Sequence, residues 1–114
     1  MPEFGNPFAG NDYYRKLNDS ELIRAIRFSV AAEYEAAQLY TQLADSIDNQ
    51  LAIDLLNYIA KEEIIHAGEF LKLLEVLAPE EKKLYDEGAK VVEDKIEKQS
   101  MDNQEENTPL LILE

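Results

Sequence analysis

Apolar residues recur every three or four positions along two long segments of the chain, which predicts two amphipathic α-helices. In the first segment, residues 19–47, the stripe consists of Leu22, Ile26, Ser29 or Val30, Glu33, Ala37, Tyr40, Ala44 and Ile47. In the second, residues 49–77, it consists of Ala52, Leu56, Ile59, Glu63, His66, Phe70, Leu73 and Leu77. Only a short polar break near residues 46–49 separates the segments, so the helices should pack as an antiparallel hairpin.

Capping residues and a proline set the expected limits of the helices. Asn18 followed by Glu21 resembles a capping box at the start of the first helix. Asp48 is the expected cap of the second helix, and Pro79 should end it, because the residue before a proline avoids the helical region. Pro79 also suits the first turn of a short third helix to about Gln99, which is strongly charged and has a thinner apolar face.

The predicted fold is therefore all-α, an antiparallel two-helix hairpin plus a short C-terminal helix. Residues 1–17 are expected to form an N-terminal arm, residues 18–99 the helical domain, and residues 100–114 a linker with an apolar tail. The tail, which contains Leu110, Leu111, Ile112 and Leu113, suits either a docking peptide or the cut junction of a fusion to a further domain.

Three ionisable residues occupy positions where the stripes call for apolar side chains. They are Glu33, Glu63 and His66, and His66 is the only histidine in the chain. Glu33 and Glu63 each lie about fifteen residues from a turn near residue 48, so an antiparallel hairpin brings them to the same level. Buried carboxylates need a positive partner, which favours a metal site. The simpler alternative is a structural pair in which Glu63 and His66 only contact each other.

One glutamate plus a Glu-x-x-His turn is half of a di-iron carboxylate site. The chain has no second histidine, so one copy cannot complete such a site, whereas two copies related by a two-fold axis can. Two copies of the hairpin should therefore dimerise into a four-helix bundle. Carboxylate and imidazole ligands suit iron, manganese or zinc.

Composition and charge limit the binding partners, the chemistry and the location that we expect for the chain. The 114 residues include 24 acidic and 11 basic side chains, giving a net charge of −13, which disfavours binding to nucleic acid and to anionic lipid. The chain contains no cysteine, which excludes disulfides, Fe–S clusters and thiolate catalysis. Since no transmembrane-length apolar run or secretory signal is visible, the expected location is the cytoplasm.

The sequence resembles the encapsulated ferritins over residues 19–98. The resemblance is carried by Ala32-Glu33-Tyr34-Glu35-Ala36-Ala37-Gln38-Leu39-Tyr40 and by Glu62-Glu63-Ile64-Ile65-His66-Ala67. It implies a half-ferritin that dimerises to build a di-iron ferroxidase centre and assembles into a decameric ring. It further implies work inside an encapsulin shell, which stores the iron once it has been oxidised.

By the same resemblance, Glu33, Glu63 and His66 match the ferroxidase ligands, and Tyr40 matches a tyrosine beside the centre. Tyr40 could equally serve core packing. Glu35 matches one carboxylate of an outer metal-uptake site, which could also hold other divalent cations. The second carboxylate of that site is replaced here by Ala32, which leaves the outer site incomplete. Glu62 could substitute as a cation guide, or could simply be solvated.

Three functions follow as hypotheses. The first is a ferroxidase that oxidises Fe²⁺ with oxygen or peroxide for iron storage and detoxification. The second is a rubrerythrin-like di-iron protein that scavenges peroxide, although that class usually needs a complete four-helix domain. The third is a non-catalytic helical assembly module with a structural metal.

The tail does not clearly match the shell-targeting peptide of free encapsulated ferritins.

Overall fold

The computed structural model describes residues 15–106, with side chains as far as residue 104. These residues form three helices and no strand: α1 (Asp19–Asp45), α2 (Gln50–Leu77) and α3 (Pro79–Glu106). The chain divides after Pro79 into two units, the first holding the hairpin of α1 and α2 and the second holding α3 from Glu80 onward. The predicted all-helical fold with three helices is confirmed. Most of the expected arm and the apolar tail lie outside the described residues.

The start of α1 is fixed by a reciprocal capping box. The Asn18 side chain accepts a hydrogen bond from the Glu21 backbone N–H (2.9 Å), and the Glu21 carboxylate accepts one from the Asn18 backbone N–H (3.0 Å). Both bonds satisfy donors that have no partner within the helix. Arg15 adds a bidentate ion pair to the same carboxylate, with distances of 2.6 and 2.8 Å. The predicted capping box is confirmed.

The turn between the two helices is short, as expected, but its cap is one residue later than predicted. Ser46 is the C-cap of α1, and Asn49 rather than Asp48 is the N-cap of α2. The Asn49 side chain accepts a hydrogen bond from the Ala52 backbone N–H at 3.0 Å. Both Asp48 and Asn49 are good capping residues, so the backbone path of the turn decides between them.

Small side chains fill most of the hairpin core. Four of the seven buried core residues are alanines, at positions 37 and 44 of α1 and 60 and 67 of α2, accompanied by Ile26, Val30 and Leu74. In α2 the buried residues recur every seven positions, at 60, 67 and 74, which is the repeat of closely packed helix pairs. Alanines in this seam allow the two helices to approach closely.

The third helix extends further than its sequence pattern indicated. It contains 28 residues and continues through residues 100–106, which were expected to be linker. No proline or glycine interrupts this stretch, and its glutamine and glutamate residues are good helix formers. No described side chain of α3 is fully buried.

Candidate metal centre

The two carboxylates predicted to face each other come from opposite helices of the hairpin. Glu33 lies near the middle of α1 and Glu63 near the middle of α2. Only 17% of the Glu33 side chain and 19% of the Glu63 side chain are exposed. His66 follows Glu63 by three residues, so it lies one turn further along the same face of α2. We call the side of the hairpin that carries these three residues the metal face.

The three side chains converge to metal-binding distances. His66 Nδ1 lies 3.7 Å from Glu33 Oε2 and 3.6 Å from Glu63 Oε2. One donor atom from each residue can be chosen so that all three lie within 4.8 Å of one another. Two donors that each bind one ion at about 2.1 Å can be at most about 4.2 Å apart. Small side-chain rotations therefore bring all three donors onto a single cation.

The electrostatics of the cluster also favour a cation. A hydrogen bond with Glu63 raises the pKa of Glu33, and partial burial and the negative charge of Glu63 raise that pKa further. His66 acts in the opposite direction and partly lowers it. The raised pKa of Glu33 shows that the ionised carboxylate is disfavoured beside a second negative charge. A cation between the two carboxylates would offset that repulsion.

The structure brings together three of the six residues singled out from the sequence. Among residues 15–104, Glu33, Glu63 and His66 form the one group of three or more histidine, aspartate or glutamate side chains that can share an ion. Tyr40 is half-buried on α1, seven residues from Glu33, and Glu35 is exposed. Glu62 hydrogen-bonds to Tyr58, which raises the pKa of that tyrosine. Any role for Tyr40, Glu35 or Glu62 in metal chemistry stays a prediction.

Sequence reasoning missed a groove on the hairpin surface. Its volume is about 560 Å³, and it is lined by Tyr34, Ala37, Gln38, Thr41, Asn57, Ala60, Lys61 and Ile64. The helical spacing of its lining residues was visible in the sequence: positions 34, 38 and 41 of α1 and positions 57, 61 and 64 of α2 recur at intervals of three or four. Positions 34 and 64 directly follow the candidate ligands Glu33 and Glu63. We call the space lined by these eight residues the groove.

Comparison with known proteins places the chain in a family. A family model described as Rubrerythrin matches residues 25–107. The crystal structure of the encapsulated ferritin domain from Pyrococcus furiosus superimposes with a TM-score of 0.71 at 31% identity, covering 79% of this chain and 91% of that one. The chain belongs to the encapsulated ferritins, within the rubrerythrin family. The resemblance noted in the sequence is confirmed.

Two curated relatives extend the comparison. The encapsulin nanocompartment cargo protein EncC of Myxococcus xanthus is 40% identical over 67 residues, which cover 59% of this chain and 52% of that protein. A ferritin-like–encapsulin shell fusion protein of Pyrococcus furiosus is 38% identical over 61 residues, which cover 54% of this chain and 18% of that protein. The chain thus spans about half of the first relative and less than a fifth of the second.

Fold and site together support an iron-related role of the di-iron oxidoreductase type. Within residues 15–106, no helix has the length and hydropathy that a membrane span requires.

Proposed function

We propose that this chain is a ferroxidase that oxidises Fe²⁺ to Fe³⁺ at a di-iron centre shared by two copies. The observation that carries the proposal is the convergence of Glu33, Glu63 and His66 from two helices. Carboxylate oxygen and imidazole nitrogen suit iron, and the absence of thiol ligands removes the main alternative of a soft-metal site. The donor set therefore fits iron, which is here the substrate.

One hairpin provides only half of the ligands that such a centre uses. The His66 side chain is 44% exposed in the single chain, so a second copy has room to approach it. Apolar side chains on the same face are also exposed, among them Leu43 and Leu73. Two metal faces brought together by a two-fold axis would cover these leucines and supply four carboxylates and two imidazoles.

The reaction balances without any further protein cofactor. Two Fe²⁺ ions supply two electrons, and O₂ with two protons becomes H₂O₂, or H₂O₂ with two protons becomes two waters. The protein residues bind the cations, and Glu33, whose pKa is raised by the neighbouring Glu63, must be ionised to do so. Cation binding and protonation therefore compete for the same oxygen atoms. Tyr40 is proposed to lie beside the centre, and Glu35 and Glu62 to guide divalent cations toward it.

The names of two relatives support a proposal about the binding partners of this chain. The Myxococcus xanthus relative is named as encapsulin cargo, and the second Pyrococcus furiosus relative is fused to a shell domain. We therefore propose that this chain acts inside an encapsulin shell in the cytoplasm, as a homodimer within a decameric ring. Oxidised iron would be stored in the shell.

A direct test is the oxidation of Fe²⁺ added to the protein in air, followed by ultraviolet absorbance. Glu63→Ala should lower the initial rate at least tenfold while far-ultraviolet circular dichroism stays unchanged. Asp54→Ala is the matched control, since it removes an exposed carboxylate of the same helix that lies outside the cluster, and it should keep at least half of the rate. Wild-type oxidation no faster than buffer, or equal rates for both variants, would refute the proposal.

The match to the Rubrerythrin family model favours one second candidate, a peroxide-scavenging di-iron protein. The two functions differ in what is consumed. A ferroxidase consumes Fe²⁺ in proportion to oxidant, whereas a peroxide scavenger turns over repeatedly on a fixed amount of iron when a reductant is supplied. Repeated peroxide turnover at two irons per dimer would favour the second candidate. A bound metal that raises the melting temperature without any oxidation would favour a structural assembly module.

A further inference from the structure

The groove and the metal face lie on opposite sides of the hairpin. With 3.6 residues per turn, Glu33 is rotated about 40° to one side of the buried Ala37, and Tyr34 about 60° to the other side. The candidate ligand and the groove residue of α2 lie in the same way on either side of the buried Ala60. A molecule bound in the groove is therefore separated from the candidate metal ligands by the core of the hairpin.

The groove has the size and the apolar surface that a small organic molecule requires. The buried Ala37 and Ala60 line it, and their short side chains leave space between the helices. Tyr34 and Ile64, both about half-exposed, add a ring and a branched apolar side chain. Its volume of about 560 Å³ lies within the range of roughly 300–1,000 Å³ that is usual for small-molecule sites.

The charge in the groove is positive and has no partner nearby. Lys61 is the one charged residue that lines it. The residues three and four positions from Lys61 in α2 are all uncharged, whereas Lys72 of the same helix has Glu75 at 3.5 Å. Within residues 15–104, no carboxylate forms an ion pair with Lys61. A lysine that lines a groove without an acidic partner favours a negatively charged ligand.

Two side-chain amides provide further hydrogen-bond donors in the groove. Asn57 lies one turn before Lys61 on α2, and Gln38 lies on α1. Neither amide makes a hydrogen bond to another residue in the described part of the chain, so each can donate to a ligand oxygen. Thr41 differs, because its hydroxyl already donates to two backbone carbonyls of α1, at 3.2 and 3.0 Å.

The position of the groove favours a carboxylate over a phosphate. Its lining residues belong to the interiors of α1 and α2, where backbone N–H groups are already bonded within the helix. Phosphate commonly binds the unbonded N–H groups of a helix N-terminus, and the groove contains no such terminus among its lining residues. The net charge of −13 repels every negative charge that Lys61 does not neutralise. A monoanion is therefore preferred.

We propose that the groove binds a small organic molecule that has one carboxylate and an apolar body about the size of a ring. The carboxylate pairs with Lys61 and accepts a hydrogen bond from Asn57 or Gln38. The apolar body packs against Tyr34 and Ile64. The inference goes beyond the proposed ferroxidase function, because none of the candidate metal ligands lines the groove.

Benzoate is the probe for the first test, because it joins one carboxylate to an apolar ring. Added to the iron-free protein, it should shift the methyl NMR signals of Ala37, Ala60 and Ile64 in a saturable way, with a Kd on the order of 1 mM. Neutral benzamide should bind at least tenfold more weakly, and inorganic phosphate should not displace benzoate. Absence of saturation, shifts confined to residues outside the groove, equal binding of benzamide, or displacement by phosphate would overturn the proposal.

The second test removes the charge from the groove. Lys61→Met keeps an unbranched side chain on the exposed position and should weaken benzoate binding at least tenfold, while far-ultraviolet circular dichroism stays unchanged. Lys72→Met is the matched control, because it makes the same change in the same helix outside the groove, and it should leave the Kd within about twofold of the wild-type value. Equal weakening in both variants would contradict the proposal, because it would indicate general attraction to lysine rather than a site.

The groove proposal and the ferroxidase proposal can be separated with the same proteins. Lys61→Met should oxidise Fe²⁺ at the wild-type rate, and Glu63→Ala should bind benzoate with the wild-type Kd. Failure of wild-type oxidation would refute the ferroxidase and leave the benzoate result standing. Loss of benzoate binding in Glu63→Ala, with the helix content preserved, would place the anion at the metal face and overturn the groove proposal.

Discussion

Helices α2 and α3 contain 28 residues each, yet they are stabilised in different ways. The first buries Ala60, Ala67 and Leu74 against α1. The second buries none of its described side chains fully, and ion pairs one turn apart support it locally, with Lys82–Asp86 at 2.9 Å and Lys90–Asp94 at 2.7 Å. Exposed pairs of this kind each contribute only about 0.3–0.5 kcal/mol. Two helices of equal length therefore differ in how much of their stability comes from burial.

The largest expected difference between the two helices concerns their leucines. Leu74 is 2% exposed and Leu84 is 63% exposed. Leu74→Ala should lower the free energy of unfolding by about 2–5 kcal/mol, because it removes buried contacts and leaves a cavity. Leu84→Ala should change it by less than about 0.5 kcal/mol in the unassembled chain. Urea unfolding of the dilute protein measures both, and similar losses would show that α3 is packed within one copy.

The next largest difference between the two helices is expected when an alanine of each is replaced by leucine. Ala67 is 1% exposed, whereas Ala89 of α3 is exposed. Ala67→Leu should destabilise the hairpin by about 1–3 kcal/mol, because three extra carbon atoms have no space in the core. Ala89→Leu is the matched control, since alanine and leucine are both good helix formers. Thermal melts of the two variants should separate clearly, and a stabilised Ala67→Leu chain would show that the seam is loosely packed.

The contribution of Glu21, at the start of α1, to the stability of the folded chain should depend on pH. A hydrogen-bonded ion pair with Arg15, helped by the Asn18 backbone N–H, lowers the pKa of Glu21 to about 2 from the ordinary 4.5. Since the folded-state pKa is depressed, the ionised carboxylate stabilises the folded chain above about pH 4.5, and that support is lost as the pH falls toward 2. The difference in melting temperature between wild type and Glu21→Gln should shrink across this range.

Arg15→Ala serves as the control for that titration. It removes the ion pair but leaves the capping box, so the same difference should begin to shrink at a higher pH. A carbon-13 titration of Glu21 reports the pKa directly. A midpoint near 4.5 in the wild-type protein would show that Arg15 does not hold this carboxylate in solution.

The smallest expected effect is that of salt on α3. Salt screens exposed ion pairs, so 1 M NaCl should remove a few tenths of a kcal/mol from each of the Lys82–Asp86 and Lys90–Asp94 pairs. Hydrogen exchange should therefore speed up in α3 and remain unchanged around Ala60 and Ala67. Faster exchange around the buried alanines would mean that ionic contacts also hold the hairpin.

Local rules predicted most of the fold. The Asn18–Glu21 box and the stop at Pro79 depend on neighbours in sequence, so they could be recognised directly. The choice of Asn49 over Asp48 could not, because both residues cap equally well and the turn backbone decides. The end of α3 was placed too early, because polar helix formers resemble linker in composition.

The candidate site was predictable for a geometric reason. Glu33 and Glu63 lie at equal distances from one turn, which fixes their common level in any antiparallel hairpin, and His66 follows by one helical turn. The groove was not predicted, because its lining residues follow helical spacing but mix polar and apolar types, so hydropathy alone does not mark them. The participation of Tyr40, Glu35 and Glu62 stays a prediction, because the cluster that can share an ion contains only Glu33, Glu63 and His66.

The alanine seam has a consequence for the chemistry as well as for packing. Helix separation is set by the side chains at the contact, and the separation in turn sets how far a carboxylate from each helix must reach to share one ion. The dimensions of the candidate metal cluster are therefore encoded by residues that have no functional group at all. A lineage that replaced Ala37 or Ala60 with a larger residue could keep every ligand and still alter which cation fits.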